Sequence, residues 1–209
     1  MPLQNRVTPK GKLAIADARG AFLGNRGILH DEHSNIIAPW RHKSWVTCQL
    51  SFKGAKRALF SAHNYSELFF LDEATAFSAG HRPCAYCRRS RFNEFKQSWL
   101  EAISKDLTLS LSVTAIDKQL HLERAIRGGG KVSYTTEFEN IAQGTFIEKK
   151  GEAYLLYKGV LKRWTHHGYA QSLPLPTAKE QVTVLTPFSI VQLYKNGFEP
   201  QVHESALVG

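Results

Sequence analysis

Residues 80–88 read Gly80-His81-Arg82-Pro83-Cys84-Ala85-Tyr86-Cys87-Arg88. A Cys-x-x-Cys turn presents two thiolates to one ion, and this supplies half of a tetrahedral zinc site. The 209-residue chain has three cysteines, an odd number that argues against a disulfide framework. A redox dithiol is the alternative, although no thioredoxin-like βαβ pattern surrounds the pair. We therefore expect a Zn²⁺ site completed by ligands from elsewhere in the chain.

Residues 44–52 alternate in hydrophobicity and predict a strand that contains Cys48. A turn at 53–56 and a return strand at 57–62 would make a hairpin in which Cys48 faces Ser61, with His63 as a diagonal neighbour on the same face. This pairing predicts one zinc ion held by Cys48, His63, Cys84 and Cys87. A different loop length would instead favour His42 or His81, and Cys48 is also consistent with a buried core thiol.

The remaining patterns predict an α+β fold, in which a small zinc-stapled hairpin and helix module precedes a strand-rich C-terminal part. Asp72 is the expected N-cap of a short helix that Gly80 ends. Further strands are predicted at 67–71, 107–115, 153–157, 159–164 and 182–185, and helices at 73–79, 88–104, 117–127 and 187–196. The glycines at 128–130 suggest a boundary between regions 1–127 and 128–209, and one continuous domain is the alternative.

The formal net charge is +9, and residues 1–100 carry 15 basic and 7 acidic side chains. Such an excess favours an anionic partner, and phosphate backbones are a common one. Basic residues crowd the metal turn and the predicted hairpin tip, which predicts a nucleic-acid-binding surface, with DNA as the expected partner; a solvated basic face is the alternative. The members of this surface are Lys53, Lys56, Arg57, Arg82, Arg88, Arg89 and Arg91.

The run at 74–89, with its Gly-x-Arg-Pro-Cys-x-x-Cys core, resembles the second half of the Ada metal-binding domain, and the similarity extends over roughly 44–100. The chain as a whole is also similar to a family of bacterial proteins of this length. The Ada resemblance implies zinc held by four cysteines, one of which accepts a methyl group from a methylated DNA phosphotriester. By this resemblance, Cys84 and Cys87 correspond to the second pair of zinc ligands in that domain, and Cys48 corresponds approximately to the position of the first pair.

The chain departs from the Ada pattern after Cys48, where Gln49, Leu50, Ser51 and Phe52 stand in place of a second cysteine. Four thiolates leave a Zn²⁺ site at −2, whereas three thiolates and an imidazole leave it at −1, so sulfur is less nucleophilic. We therefore expect a structural zinc site in a DNA-binding protein, with methyl transfer to Cys48 as an enzymatic alternative.

Two further possibilities come from other segments and from the composition. His30, Asp31 and His33 could bind a metal or act in general acid–base hydrolysis, although a polar loop explains them equally well. A structural or regulatory protein with a zinc-stapled fold is the remaining class. No stretch approaches the roughly 18 apolar residues of a membrane helix, and the N-terminus lacks a signal-peptide core, so a cytoplasmic protein is expected.

Overall fold

The computed structural model describes residues 2–54, 58–104 and 112–207. The N-terminal half contains a six-stranded mixed sheet in the order β2-β1-β5-β3-β4-β6. Its strands are β1 (Gln4–Val7), β2 (Leu13–Ile15), β3 (Phe22–Asn25), β4 (Val46–Gln49), β5 (Leu68–Phe70) and β6 (Arg82–Pro83). Three helices follow within or after this sheet, namely α1 (Glu73–Ser78), α2 (Arg89–Trp99) and α3 (Val113–Arg124). A π-helical turn at Leu100–Ser104 extends α2.

The C-terminal half contains a second six-stranded sheet, in which all the pairings are antiparallel, in the order β13-β12-β11-β10-β14-β9. The short hairpin β7 (Ala125–Ile126) and β8 (Gly130–Lys131) leads into it. The sheet strands are β9 (Tyr134–Glu137), β10 (Phe146–Lys149), β11 (Glu152–Tyr157), β12 (Val160–Thr165), β13 (Gly168–Leu173) and β14 (Gln181–Val184), and helix α4 (Phe188–Lys195) follows. The α+β class is therefore confirmed.

The four helices share one hydrophobic core. It contains side chains of each helix, with Phe77 from α1, Phe95 and Trp99 from α2, Ile116 and Leu120 from α3, and Ile190 and Leu193 from α4. Residues on both sides of position 127 thus contribute to the same core. Among the described residues, no helix has the length and hydrophobicity required to cross a bilayer.

Helix α1 begins as its sequence predicts. The Asp72 carboxylate accepts hydrogen bonds from the Thr75 backbone N–H at 2.8 Å and from the Thr75 hydroxyl at 2.6 Å, which is the N-cap arrangement. Gly80 follows the helix with φ +82°, a conformation that favours glycine. Tyr169 also donates to Asp72, at 2.8 Å, so the same carboxylate joins the helix start to β13.

Two predicted strands are wrong in the described part of the chain. The return strand of the hairpin is absent from Ala58–Ala62, because β4 already has β3 on one side and β6 on the other. Residues 107–111 of the second predicted strand lie outside the described residues. Its last three residues, 113–115, form the start of α3 instead of a strand. Ile116 and Leu120 of this helix enter the helical core one turn apart. In both segments the hydrophobicity alternates locally as in a strand, but packing against distant parts of the chain determines the structure that forms.

Candidate metal centre

The three cysteines converge because two distant strands pair in parallel. Val46 and Thr47 of β4 lie beside Arg82 and Pro83 of β6. The Cys84 backbone N–H continues this ladder by donating to the Thr47 carbonyl at 2.9 Å. The turn that carries Cys84 and Cys87 therefore starts beside Cys48, and the three Sγ atoms lie within 4.8 Å of one another.

Backbone N–H groups point at the sulfurs of the turn. The Tyr86 N–H donates to Cys84 Sγ at 3.4 Å. The backbone of Cys87 also donates to Cys84, and that of Gln49 donates to Cys87. Hydrogen bonds of this kind stabilise thiolates, the form of cysteine that ligates metals.

The sulfurs also interact with one another. A hydrogen bond from the Cys48 thiol lowers the pKa of Cys84 to about 5. The same hydrogen bond, together with burial, raises the pKa of Cys48 well above its ordinary value, and burial raises that of Cys87. Cys84 is therefore the cysteine of the cluster whose thiolate is stabilised most. A divalent ion would replace the thiol protons of the cluster as it binds.

The donor set fits a thiophilic metal ion. In a tetrahedral zinc site with Zn–S bonds of about 2.3 Å, the sulfurs lie about 3.8 Å apart. The three Sγ atoms of this protein lie within 4.8 Å of one another, which is compatible with that separation. All three cysteines are half-buried and none forms a disulfide. Cys48, Cys84 and Cys87 are therefore arranged so that they could hold one metal ion.

His63 does not join this cluster. The metal-ligand group formed by the described residues contains the three cysteines and no histidine. The predicted hairpin that would have carried His63 to Cys48 does not form, and His63 is exposed with a left-handed backbone, φ +62°. The prediction that this hairpin makes His63 and Cys48 diagonal neighbours is therefore wrong.

One side of the cluster borders a cavity of about 730 Å³. Its floor is a face of the N-terminal sheet, where Leu23 lies between Cys48 and Phe69, and where Asn25 pairs with Val46. The other lining residues are Gln49, Leu50, Phe52, Leu59, Tyr65, Glu67, Cys84, Tyr86 and Cys87. The lining is largely apolar, and Glu67 is the one acidic side chain among the described residues that form it.

No known protein family, curated protein or solved structure matches this chain. The resemblance to the Ada domain thus stands on the quoted residues alone. The structure confirms the proximity of the three cysteines, which the sequence predicted. It also shows an open cavity beside them, which the sequence did not predict.

Most of the arginines around the metal turn are bound to carboxylates. Arg82 pairs with Asp117 at 2.8 Å, and Arg88 pairs with the buried Glu73 at 2.6 Å. Arg91 donates to Glu73 at 2.7 Å and to Glu94 at 2.9 Å. Arg82 and Arg88 are also buried, so their predicted role as phosphate contacts is corrected to a structural one.

The remaining members of the predicted surface differ from these three. Arg89 is exposed at the start of α2. The ammonium group of Lys53 lies 5.1 Å from the Tyr86 ring centroid and 5.6 Å from that of Phe52. Lys56 and Arg57 lie outside the described residues. Among the described members of the predicted surface, Lys53 and Arg89 are therefore exposed, and Lys53 lies next to two aromatic rings.

The segment that suggested a hydrolytic site has separate structural roles. His30 is buried, stacks on Phe60 and lies 2.6 Å from the Ser66 hydroxyl. Asp31 accepts hydrogen bonds from the backbone N–H groups of His33 and Asn35, which lowers its pKa, first through Asn35. These residues form a turn, and among the described residues they make no metal-ligand group.

Proposed function

We propose that the protein binds one zinc ion through Cys48, Cys84 and Cys87, with the fourth coordination position facing the cavity. The observation that carries this proposal is the position of the three sulfurs at the cavity wall, with His63 outside the cluster. Structural zinc sites have four protein ligands, whereas catalytic sites have three and leave one position for water or substrate. The arrangement therefore favours a zinc centre of the catalytic type.

The cavity indicates what such a centre would act on. A zinc ion held there supplies Lewis acidity toward a water molecule or a substrate oxygen. The apolar floor formed by Leu23, Val46 and Phe69 would bind the hydrocarbon part of a ligand. Glu67 also lines this cavity, and one of its carboxylate oxygens accepts a hydrogen bond from the Phe60 backbone N–H at 2.8 Å. This carboxylate would serve as the proton acceptor. The reaction class supported best is metal-assisted hydrolysis of a largely apolar substrate.

Cobalt substitution tests this proposal directly. The Co²⁺ protein should show sulfur-to-metal charge transfer of an intensity that corresponds to three thiolates, and Cys48→Ser should remove about one third of it. Addition of a small thiol should shift the visible d–d bands, because the fourth position accepts an exogenous ligand.

His63→Ala is the control for this experiment. The spectrum of this variant should match that of the unmodified protein. A spectrum that changes in His63→Ala, together with no response to added thiol, would indicate a closed site with a histidine ligand. The zinc would then be structural.

A second candidate function is DNA binding, with methyl transfer to a cysteine. The observation that favours it is the exposed rim beside the metal turn, where Tyr86 is 64% exposed and Lys53 lies over its ring. An exposed aromatic ring next to basic side chains suits base stacking and phosphate contact. In the transfer step, a new S–C bond forms on Cys48 while the methyl C–O bond of a phosphotriester breaks, which leaves a phosphodiester.

Two measurements examine the second candidate. Binding to DNA should weaken steeply as salt rises and should weaken further in Tyr86→Ala. Intact mass after exposure to methylated DNA should show one added methyl group, which Cys48→Ser should abolish. A flat, weak salt response, with no mass change, would reject this function and leave the zinc proposal intact.

A further inference from the structure

A second cavity lies on another part of the molecule and is surrounded by positive charge. Its volume is about 450 Å³, and its charged lining side chains are Lys10, Lys12, Arg26 and Arg124. No aspartate or glutamate occurs among the described residues that line it. Lys10 is already paired with Glu148 at 2.9 Å, so the remaining three cations dominate the cavity.

Arg26 and Arg124 are both buried, and both contact one tryptophan. Each of the two arginines is 2% exposed. The guanidinium carbon of Arg26 lies 4.1 Å from the Trp45 ring centroid, and that of Arg124 lies 4.2 Å from it. Trp45 is itself fixed by its indole N–H, which donates to the His42 carbonyl at 2.8 Å. The two arginines are thus held in place at the inner end of the cavity.

The hydrogen bonds of these arginines go to neutral groups. Arg26 donates through Nε to His81 Nε2 at 3.1 Å and through Nη1 to the Gly11 carbonyl at 2.9 Å, while its Nη2 has no partner. Arg124 donates to the carbonyls of Gly80 and Lys43, and its Nε has no partner. Among the described residues, neither arginine forms an ion pair with a carboxylate. This differs from Arg82, which is also buried and forms an ion pair with Asp117. The charge of Asp117 also raises the pKa of Arg124, but by less than burial lowers it.

Lys131, which is half-buried, adds a further positive charge near Arg26 and Arg124. The Lys131 ammonium donates to the Ser78 carbonyl, and burial, together with the charges of Arg26 and Arg124, lowers its pKa to about 7. Burial likewise lowers the pKa values of Arg26 and Arg124 to about 9. A buried charge without a counterion is strongly unfavourable, and a cation–π contact offsets only part of this free energy. An anion in the cavity would supply the missing compensation.

We propose that this cavity binds a small organic phosphate, with its phosphate group against Arg26 and Arg124. Guanidinium groups match phosphate oxygens in geometry, and a phosphate monoester carries close to two negative charges at neutral pH, which suits two arginines and Lys12 better than a single carboxylate does. The outer lining is apolar, formed by Ile36, Ile37, Pro39 and the half-buried Trp40, and would contact the organic part of the ligand. This site is independent of the metal centre.

Calorimetry on the zinc-loaded full chain, in phosphate-free buffer of low salt, tests the proposal with three probes. Inorganic phosphate should bind, adenosine monophosphate should bind more tightly because it also covers the apolar rim, and adenosine should give no heat. Absence of phosphate binding at millimolar concentration would overturn the proposal, and so would adenosine binding as tightly as its monophosphate.

Variants connect the binding to the cavity. Arg26→Met should weaken phosphate binding about tenfold or more, because it removes a charged donor from a buried site. Lys12 is exposed, so Lys12→Met should fold normally and weaken binding about threefold. Lys118→Met, an exposed lysine of α3 outside the cavity, is the matched control and should bind as the unmodified protein does. A phosphate affinity equal to that of the unmodified protein in both Lys12→Met and Arg26→Met would show that the cavity is not the site. If Arg26→Met does not fold, an unchanged affinity in Lys12→Met would be sufficient.

Discussion

Arg82 and Asp117 form a bidentate ion pair inside the protein, with Nε and Nη2 donating to the two carboxylate oxygens at 2.8 and 2.9 Å. The Ser44 hydroxyl donates to the same carboxylate at 2.9 Å. The pair joins β6, which immediately precedes Cys84, to α3. The arginine of the Arg-Pro-Cys run therefore holds the metal turn against a helix.

Replacing one partner of this pair should be costly. In Asp117→Asn the buried Arg82 guanidinium would keep its charge without a counterion, and the free energy of unfolding should fall by about 3–5 kcal/mol. Urea unfolding measures this loss. Lys179→Met, which removes an exposed lysine paired with Glu137 and Glu139, is the control and should leave the free energy of unfolding almost unchanged. Equal effects of the two variants would contradict the structural role of the pair.

Zinc should stabilise the folded protein through the three cysteines. A ligand that binds only the folded state at 100 times its Kd adds about 2.7 kcal/mol to the free energy of unfolding. Thermal unfolding should therefore occur at a higher temperature with zinc than with a chelator. This difference should be lost in Cys84→Ser and kept in His63→Ala. An identical Tm with zinc and with chelator would contradict a zinc site at these sulfurs.

Local features of this fold could be predicted from the sequence. Asp72 and Gly80 mark the ends of α1 through cap chemistry that depends on neighbouring residues only. The Cys84 and Cys87 pair is likewise a local pattern. Cys48 could be associated with this pair because the chain has only three cysteines and a zinc site requires several ligands.

Pairings between distant segments could not be predicted in this way. The strand of Cys48 pairs with residues 22–25 and 82–83, whereas alternation and a glycine turn suggested a partner next to it in sequence. The arginines near the metal turn looked like a phosphate surface because the carboxylates that bind them, such as Asp117, lie up to 35 residues away. The cavity with Arg26 and Arg124 combines residues almost one hundred positions apart, and no local pattern marks it.

Gly80 should be intolerant of a side chain. A Cβ added there would lie 2.4 Å from Arg124 Cδ and 2.6 Å from Arg124 Cβ, on a backbone with φ +82°. Strain and overpacking together should lower the free energy of unfolding of Gly80→Ala by about 2–4 kcal/mol, measured by urea unfolding.

Gly197 provides the control for Gly80. It follows α4 as Gly80 follows α1, its φ is +89°, and no atom lies within 4 Å of an added Cβ. Gly197→Ala should therefore cost only the backbone strain, about 1 kcal/mol. If the two variants are equally stable, Arg124 is not packed against Gly80 as described. Gly80→Ala should also weaken phosphate binding, because it displaces Arg124, whereas Gly197→Ala should not.

The cluster formed by the half-buried Lys131 and the buried Arg26 and Arg124 should make the free energy of unfolding depend on pH in a definite direction. The pKa of Lys131 is about 7 in the folded protein against an ordinary 10.5, and Arg26 and Arg124, the charged groups that face it, are lowered to about 9. His81, also close, has its pKa lowered well below 6.5, first by burial, and is neutral over this range. Between pH 7 and 10.5 the unfolded chain therefore binds more protons than the folded one, so the free energy of unfolding should rise with pH across this interval.

Lys131→Met isolates the contribution of the lysine. In phosphate-free buffer with zinc saturating, this variant should be more stable than the unmodified protein at pH 6, by on the order of 1–3 kcal/mol, because it removes a half-buried positive charge next to two arginines. The advantage should shrink by pH 9, where the native lysine is mostly neutral, and Lys118→Met should follow the unmodified protein at both values. Added phosphate should reduce the difference in stability between Lys131→Met and the unmodified protein at pH 6, because a bound anion compensates the positive charge of Lys131. A Lys131→Met variant that loses stability at pH 6, with an unchanged pH slope, would show that the charge of Lys131 does not destabilise the folded protein.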